Sequence, residues 1–374
     1  MDHSFREVRI LRHGDSSGNR MVLQIIPKYG VLIYAISVPR DGFSYTGPTW
    51  AYLFENEGLT LVDTGVAGSF SELADGLACA GFRPRDIQRV IVTHGHEDHD
   101  GAVAELVSET EAELWAHDIH AHLLPFDPRD IQRRPTSPIQ WEMLRVVEAH
   151  DAHPPTAPRR ERYIERRKGL TVDHRIQPGE TSGALSFLAT PGHSPDELCI
   201  ALDGIVFTGD HVLPEISPHP TTKTVFLPEV KEQLPARYHN ADDYYGLARY
   251  LQSLKLVAEL GEDVAVLPAH RFYNRDRFNF INVLRAGQLI QHHSQRLGNI
   301  LDRIGSNSVG LEQLTRGIFE RRKLMSGNLY AALTEIVAHI ELLQDTQDLE
   351  VTEKGELICT GSENYQQFIF QLTG

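Results

Sequence analysis

The sequence predicts an α/β protein in two parts. A layered α/β domain takes residues 1–285, and a smaller winged-helix-like α+β domain takes residues 286–374. Three observations predict this. Short runs with the period of strands alternate with segments of helical period through most of the chain. A dense histidine and aspartate segment falls where a strand gives way to a helix. Residues from 289 onward read as three helices followed by a β-hairpin.

The elements follow in order. Residues 21–27 and 31–39 are β-branched runs around Lys28-Tyr29-Gly30, and residues 49–54 and 58–64 flank a turn at Glu55-Asn56-Glu57. Helical spacing sets in over 69–80, with Ser69 as cap and Gly81 as stop. Residues 88–93 read as a buried strand, 101–112 as a helix and 113–117 as another strand. From 121 to 170 the rhythm breaks into a proline-rich stretch. Residues 129–168 hold ten Arg and Lys against six Asp and Glu, a net of +4, which leaves the rest of the chain at −19. A solvated, partly helical insertion is expected there, or a lid that presents cations to an anionic substrate tail. Strands resume at 186–190, 197–202 and 204–209, the last two joined by Asp203-Gly204, a hairpin signal. Residues 241–260 carry Tyr244, Leu247, Leu251, Leu254 and Val257 at helical spacing, and 264–267 read as a last buried strand. Leu289, His293, Leu297, Ile300 and Ile304 mark a helix stopped by Gly305; residues 309–319 suggest a second; Leu329, Leu333, Ile336, Ile340 and Leu343 mark a third. Residues 349–360 read as a hairpin around Lys354-Gly355.

Composition narrows the class. A chain of 374 residues can bury a large core without disulfide staples. With 41% hydrophobic and 23% charged residues it has the balance of a globular protein. Three scattered cysteines, Cys79, Cys199 and Cys359, exclude a disulfide framework and fit a reducing compartment. The formal charge of −15 opposes binding to nucleic acid or to anionic membranes. No apolar run is long enough to span a membrane, and MDHSFREVRILRHG lacks the apolar core of a signal peptide. A cytoplasmic location is expected.

The 19 histidines stand out. The decisive run is Thr93-His94-Gly95-His96-Glu97-Asp98-His99-Asp100-Gly101, which follows a predicted strand and opens a helix. Neutral imidazoles and carboxylates suit zinc and iron(II) alike. On an extended loop His94 and His96 point the same way and can share a metal. Asp98 and His99 come at the turn into the helix and can face a second. Gly95 and Gly101 give the backbone room to turn.

This run and four others, in order, resemble the metallo-β-lactamase superfamily over roughly residues 20–285. Asp63 in LVDTG resembles the first motif, the loop 94–99 the second, His193 in TPGHS the third, Asp210 in FTGDH the fourth and His270 in LPAH the fifth. The resemblance implies a four-layer αββα sandwich, of the glyoxalase II-like or lactamase-like branch that carries a C-terminal winged-helix domain. It implies one metal held by His94, His96 and His193, a second held by Asp98, His99 and His270, Asp210 bridging both, and Asp63 supporting the ligand loop. Two Zn2+ per chain are expected, with Fe or Mn as alternatives. Two such cations, roughly 3.5–4 Å apart, share a water and lower its pKa, so that a bridging hydroxide is the nucleophile. Asp98 and Asp210 would orient it, and Asp98 would shuttle its proton.

Departures from the family's branches narrow the reaction. Common di-zinc β-lactamases carry Cys where this chain has Asp210, which argues against antibiotic hydrolysis. Flavo-diiron proteins carry Glu where this chain has His96. Many relatives have Gly and a small or His residue where this chain has Asp196-Glu197. The expected activity is hydrolysis of a small-molecule thioester or ester. His211 and His219 are candidates to line the substrate pocket. Arg159, Arg160, Arg166 and Arg167 are candidates to meet a phosphate-bearing tail such as that of coenzyme A. The alternatives are an endoribonuclease of the lactamase-like branch and a persulfide dioxygenase with a single iron. A nucleic-acid-reading helix needs cations. Residues 329–343 carry Glu335 and Glu341 and no Lys or Arg, so nucleic acid is not an expected partner. The C-terminal domain is expected to shape the pocket or to form a homodimer contact.

Overall fold

The computed structural model describes residues 5–40, 44–133, 135–150, 160–319, 324 and 328–374. Two sheets stack face to face, with helices outside each. In the first sheet Phe5–Arg12, Val22–Pro27, Ile33–Val38, Thr49–Glu55 and Leu59–Val62 form an antiparallel run. Arg89–Ile91, Glu113–His117 and His174–Ile176 extend it in parallel. The second sheet orders Thr181–Ser182, Leu185–Ala189, Leu198–Leu202, Ile205–Phe207, Ala265–Leu267 and Ile281–Asn282. Ile205–Phe207 and Ala265–Leu267 are its parallel pair.

The two-residue strand period sorts side chains between layers. Trp50, Tyr52 and Phe54 point at the opposite sheet and meet Phe187, Ile200, Phe207 and Leu267. The Phe54 and Phe207 rings stack at 5.2 Å. Between them, Ala51 and Leu53 point outward, to Leu73 and Leu77 of helix Phe70–Ala80 and to Leu106 of helix Val103–Glu109. On the far side, Cys199, Val206 and Val266 pack against helices Leu247–Ala258 and Leu284–Ile304. Each Val, Leu, Ile or Phe among these contributes about 1.5–3 kcal/mol on full burial.

The C-terminal region joins that outer layer. It has helices Leu284–Ile304, Leu311–Ile318, Asn328–Asp345 and Asn364–Thr373, and a three-stranded sheet ordered Val309–Gly310, Glu356–Cys359, Leu349–Val351. The expected boundary at 285/286 falls in the first turn of Leu284–Ile304. Helix Asn328–Asp345 buries Leu333, Ile336, Val337, Ile340 and Leu343 in the same cluster as Cys199 and Val266. Its Glu341 is buried as well. A helix used so fully for packing presents little surface to any partner.

Several elements differ from expectation. The helix expected over 101–112 is confined to Val103–Glu109, because Asp98 and His99 sit on a separate short turn, Glu97–Asp100. The helix expected from 241 starts at Leu247, because Gly246 has φ 96° and breaks the spiral after a 3-10 turn at Ala241–Asp243. Strand Phe5–Arg12 has no alternating apolar face and lies at a sheet edge, so its sequence carries no strand period. The stop at Gly81 holds: its φ is 92° and its N–H reaches the carbonyl of Ala78. No helix among the described residues is long and apolar enough to cross a membrane.

A histidine pair ties the outer layer together. His293 Nδ1 and His339 Nε2 lie 3.0 Å apart, fully buried, and His339 Nδ1 donates to the Glu335 carbonyl. Burial pushes His339 down to about 4, so it folds neutral. In the unfolded chain it titrates near 6.5. Its contribution is therefore complete above pH 6.5 and is lost as pH falls toward 4, with about 2 kcal/mol gone at pH 5. Urea unfolding at pH 7.5 and pH 5 is expected to show a smaller loss in His339→Leu than in wild type; equal losses would contradict it.

Candidate metal centre

The site is built from strand ends. Strand Arg89–Ile91 leads to Thr93, beyond which His94 and His96 follow, His96 on extended backbone, with Asp98 and His99 on the turn Glu97–Asp100. His193 follows Leu185–Ala189, Asp210 follows Ile205–Phe207, and His270 follows Ala265–Leu267. Loops from both sheets thus meet at one edge of the sandwich, and all seven expected ligands converge there.

The distances resolve into two groups. His94 Nε2 lies 2.9 Å from His96 Nδ1, which lies 3.2 Å from His193 Nε2. Nitrogens on one tetrahedral cation at about 2.0–2.1 Å stand roughly 3.3 Å apart. In the second group His270 Nε2 is 3.5 Å from Asp98 Oδ2 and 3.3 Å from Asp210 Oδ1, and His99 Nε2 is 3.6 Å from Asp210 Oδ1. Asp210 Oδ2 turns the other way and is 3.6 Å from His193 Nε2. The two oxygens of Asp210 therefore face the two groups.

Neighbours fix the ring orientations. The Asp63 carboxylate lies 2.8 Å from His99 Nδ1 and also accepts the Thr93 N–H and hydroxyl. Asp63 holds φ at 59°, a left-handed backbone that aspartate tolerates better than most residues. His270 Nδ1 donates to the Pro48 carbonyl at 2.9 Å, and His193 Nδ1 to the His219 carbonyl at 2.9 Å. With Nδ1 protonated in all three, the Nε2 lone pairs turn into the cluster.

Sequence reasoning missed part of this support. The only signal was the unusual Asp196-Glu197. Glu197 is fully buried; its Oε1 accepts the Asp210 N–H at 3.1 Å, and its Oε2 lies 3.5 Å from His94 Nδ1. Asp196 accepts the Gly95 N–H at 2.8 Å and lies 2.6 Å from His120 Nδ1. Gly95 and Gly101 serve close approach, and neither has a positive φ. A Cβ on Gly101 would sit 2.2 Å from the Ala67 nitrogen.

The remaining candidates lie elsewhere. His211 is fully buried, packs edge-on against Tyr250, and is pushed down to about 3 by burial. His219 supports His193 through its carbonyl, while its ring turns to Ala331 and Thr334 of helix Asn328–Asp345. Arg160 pairs with Asp127 and, at 3.6 Å, Glu97, and Arg166 pairs with Glu105. Arg167, 3% exposed, bonds Asp100 at 3.0 Å and donates to the carbonyls of Leu123, Leu124 and Phe126. Arg159 lies outside the described residues. These three guanidiniums already have carboxylate partners, which leaves an anionic tail no free cation among them.

The His219 link makes the outer helix part of the site's support. Thr334→Val removes the 2.9 Å contact to His219 Nε2. It is expected to weaken retention of the cation on the His193 side roughly three- to tenfold. Competition with a chelator reads this directly, and unchanged retention of both cations would contradict it.

The cluster fits cations. Buried His99 Nε2, His270 Nε2 and Asp210 Oδ1 have no hydrogen-bond partner, although they face one another. Burial opposes charge on His99, yet Asp63 and Asp210 beside it raise its pKa well above the ordinary value. Against the same burial, Asp210 and Asp98 raise His270. A pocket that draws protons onto buried imidazoles draws metal cations by the same carboxylates.

Comparison with known proteins gives the family and the fold. The family described as the metallo-beta-lactamase superfamily matches residues 44–270. The uncharacterized protein YobT of Bacillus subtilis (strain 168) is 26% identical over 168 residues, 44% of this chain and 61% of that protein. The chain thus matches under two thirds of that relative's length. A metallo-beta-lactamase family protein from Thermus thermophilus, TTHA1429, has a similar crystal structure, with TM-score 0.62 and 22% identity over 87% of this chain and 98% of that one. A beta-lactamase domain protein from Burkholderia ambifaria gives TM-score 0.61 and 21% identity over 88% of this chain and 91% of the other. At these identities the likeness speaks for the fold.

Proposed function

This chain belongs to the metallo-beta-lactamase superfamily, and on that premise we propose that it is a di-zinc hydrolase of a small-molecule thioester or ester. One observation carries the reading: the buried, unpartnered atoms of His99, His270 and Asp210 converge beside the imidazole trio of His94, His96 and His193. The family's fold is a metal-dependent, hydrolase-type one with a dinuclear site, and these clusters fit it.

The residues divide the work. His94, His96 and His193 would hold one cation, Asp98, His99 and His270 the other, and Asp210 would touch both. When bound, such a pair supplies Lewis acidity toward a carbonyl and an activated water. Asp63, Pro48 and the His219 carbonyl keep three imidazoles in the tautomer that can ligate. Burial opposes ionisation of Asp98, but His270 at 3.5 Å, with His99 and Arg40 nearby, holds its pKa well below the usual range. Its carboxylate thus stands ionised, able to take a proton. Asp210 supports a substrate other than a β-lactam. The mostly buried helix Asn328–Asp345 supports a small molecule over RNA.

The test is a panel of thioesters and esters followed by thiol or acid release, with RNA as control. Turnover that disappears on chelation and returns with zinc is expected. Cleavage of RNA alone, or no turnover across the panel by metal-loaded protein, would overturn the proposal.

A further inference from the structure

A cavity of about 470 Å³ lies against the loop that carries His193, with Pro191 and Pro195 in its wall. None of the seven clustered side chains lines it. Its volume falls within the range of small-molecule pockets. Tyr238 and Tyr244 line it together with Pro178, Leu188 and Leu256, and most of its surface is apolar. The two phenol hydroxyls are occupied, Tyr238 donating to Asp118 at 2.7 Å and Tyr244 to the Arg237 carbonyl at 3.4 Å. The cavity therefore offers aromatic walls and few hydroxyl groups.

Two nitrogen donors break that apolar surface. His117 is 2% exposed, and its Nδ1 accepts the Ile119 N–H at 3.1 Å, which makes Nε2 the protonated nitrogen. That Nε2–H has no partner among the described residues. Arg249 donates from Nη1 to the neutral Gln252 side chain at 3.1 Å and pairs with no carboxylate among the described residues. Unlike the arginines at 160, 166 and 167, it has its charge uncommitted. A guanidinium without a counter-ion beside aromatic walls recognises an anion attached to an apolar body.

We propose that this cavity binds a monocarboxylate with a medium-length apolar tail, its carboxylate on Arg249 and its tail against Leu256, Tyr238 and Tyr244. The His117 N–H supplies a second, neutral donor. The proposal does not rest on the hydrolase reading, because the cavity holds no cluster residue.

Octanoate is the probe, titrated calorimetrically into the full chain both metal-loaded and chelator-treated. Saturable binding near one per chain is expected in both forms, at least tenfold tighter than for octan-1-ol. Arg249→Met should weaken octanoate at least tenfold, and Arg249→Lys should recover most of the loss. Leu256→Asp, at a rim residue that is 44% exposed, should also weaken it without disturbing the core. Absence of saturation, equal affinity for octanol, or wild-type affinity in Arg249→Met would overturn the proposal. Binding that vanishes on chelation would place the carboxylate on the cations instead and overturn it equally.

Discussion

Asp210→Asn is expected to lower metal-dependent hydrolysis by about 10³-fold or more and to leave at most one cation per chain. Asp210 is the residue whose two oxygens face different groups, Oδ2 at 3.6 Å from His193 Nε2 and Oδ1 at 3.3 Å from His270 Nε2. An amide keeps the shape, but it loses the charge and one of the two oxygens. Glu197 still holds the residue 210 N–H, so the loop keeps its path. The fold should survive while the centre fails. Metal analysis beside a thiol-release assay checks both parts. A variant with two tightly held cations and wild-type turnover would show that Asp210 does not join the two groups.

Arg167→Met is expected to destabilise the fold by about 3–5 kcal/mol while leaving KM nearly unchanged. Arg167 and Asp100 form a buried ion pair at 3.0 Å, and the Tyr163 hydroxyl donates to Asp100 at 2.6 Å. Removing the guanidinium strands a buried carboxylate on one neutral donor and leaves three carbonyls without their N–H. Asp100 directly follows His99, so the same pair braces the ligand turn. Urea unfolding at neutral pH reads the loss. Unchanged stability with a raised KM would instead return Arg167 to the role of a substrate cation.

These two residues show what was legible in the chain. His94, His96, Asp98 and His99 are close in sequence, and His193, Asp210 and His270 each end an apolar strand run. A strand end fixes where a side chain goes, so local pattern was enough to gather them. The arginines at 160, 166 and 167 carry no such marker. Their partners, Asp100, Glu105 and Asp127, lie far upstream in sequence, and a count of charges does not reveal who pairs with whom. His219 is a candidate pocket residue by its type, but its backbone carbonyl does the supporting. Backbone acceptors such as those of His219 and Pro48 leave no trace in residue type. The edge strand Phe5–Arg12 was unreadable for a different reason: with mostly exposed side chains it has no buried face to impose a period.

The most direct test is metal content per chain, measured on protein produced with zinc and iron both present. Two zinc ions per chain, reduced to one or none in Asp210→Asn, are expected if both groups of side chains hold a cation. A single iron per chain, retained when the Asp98, His99 and His270 group is disrupted by His270→Ala, would contradict a dinuclear hydrolytic centre.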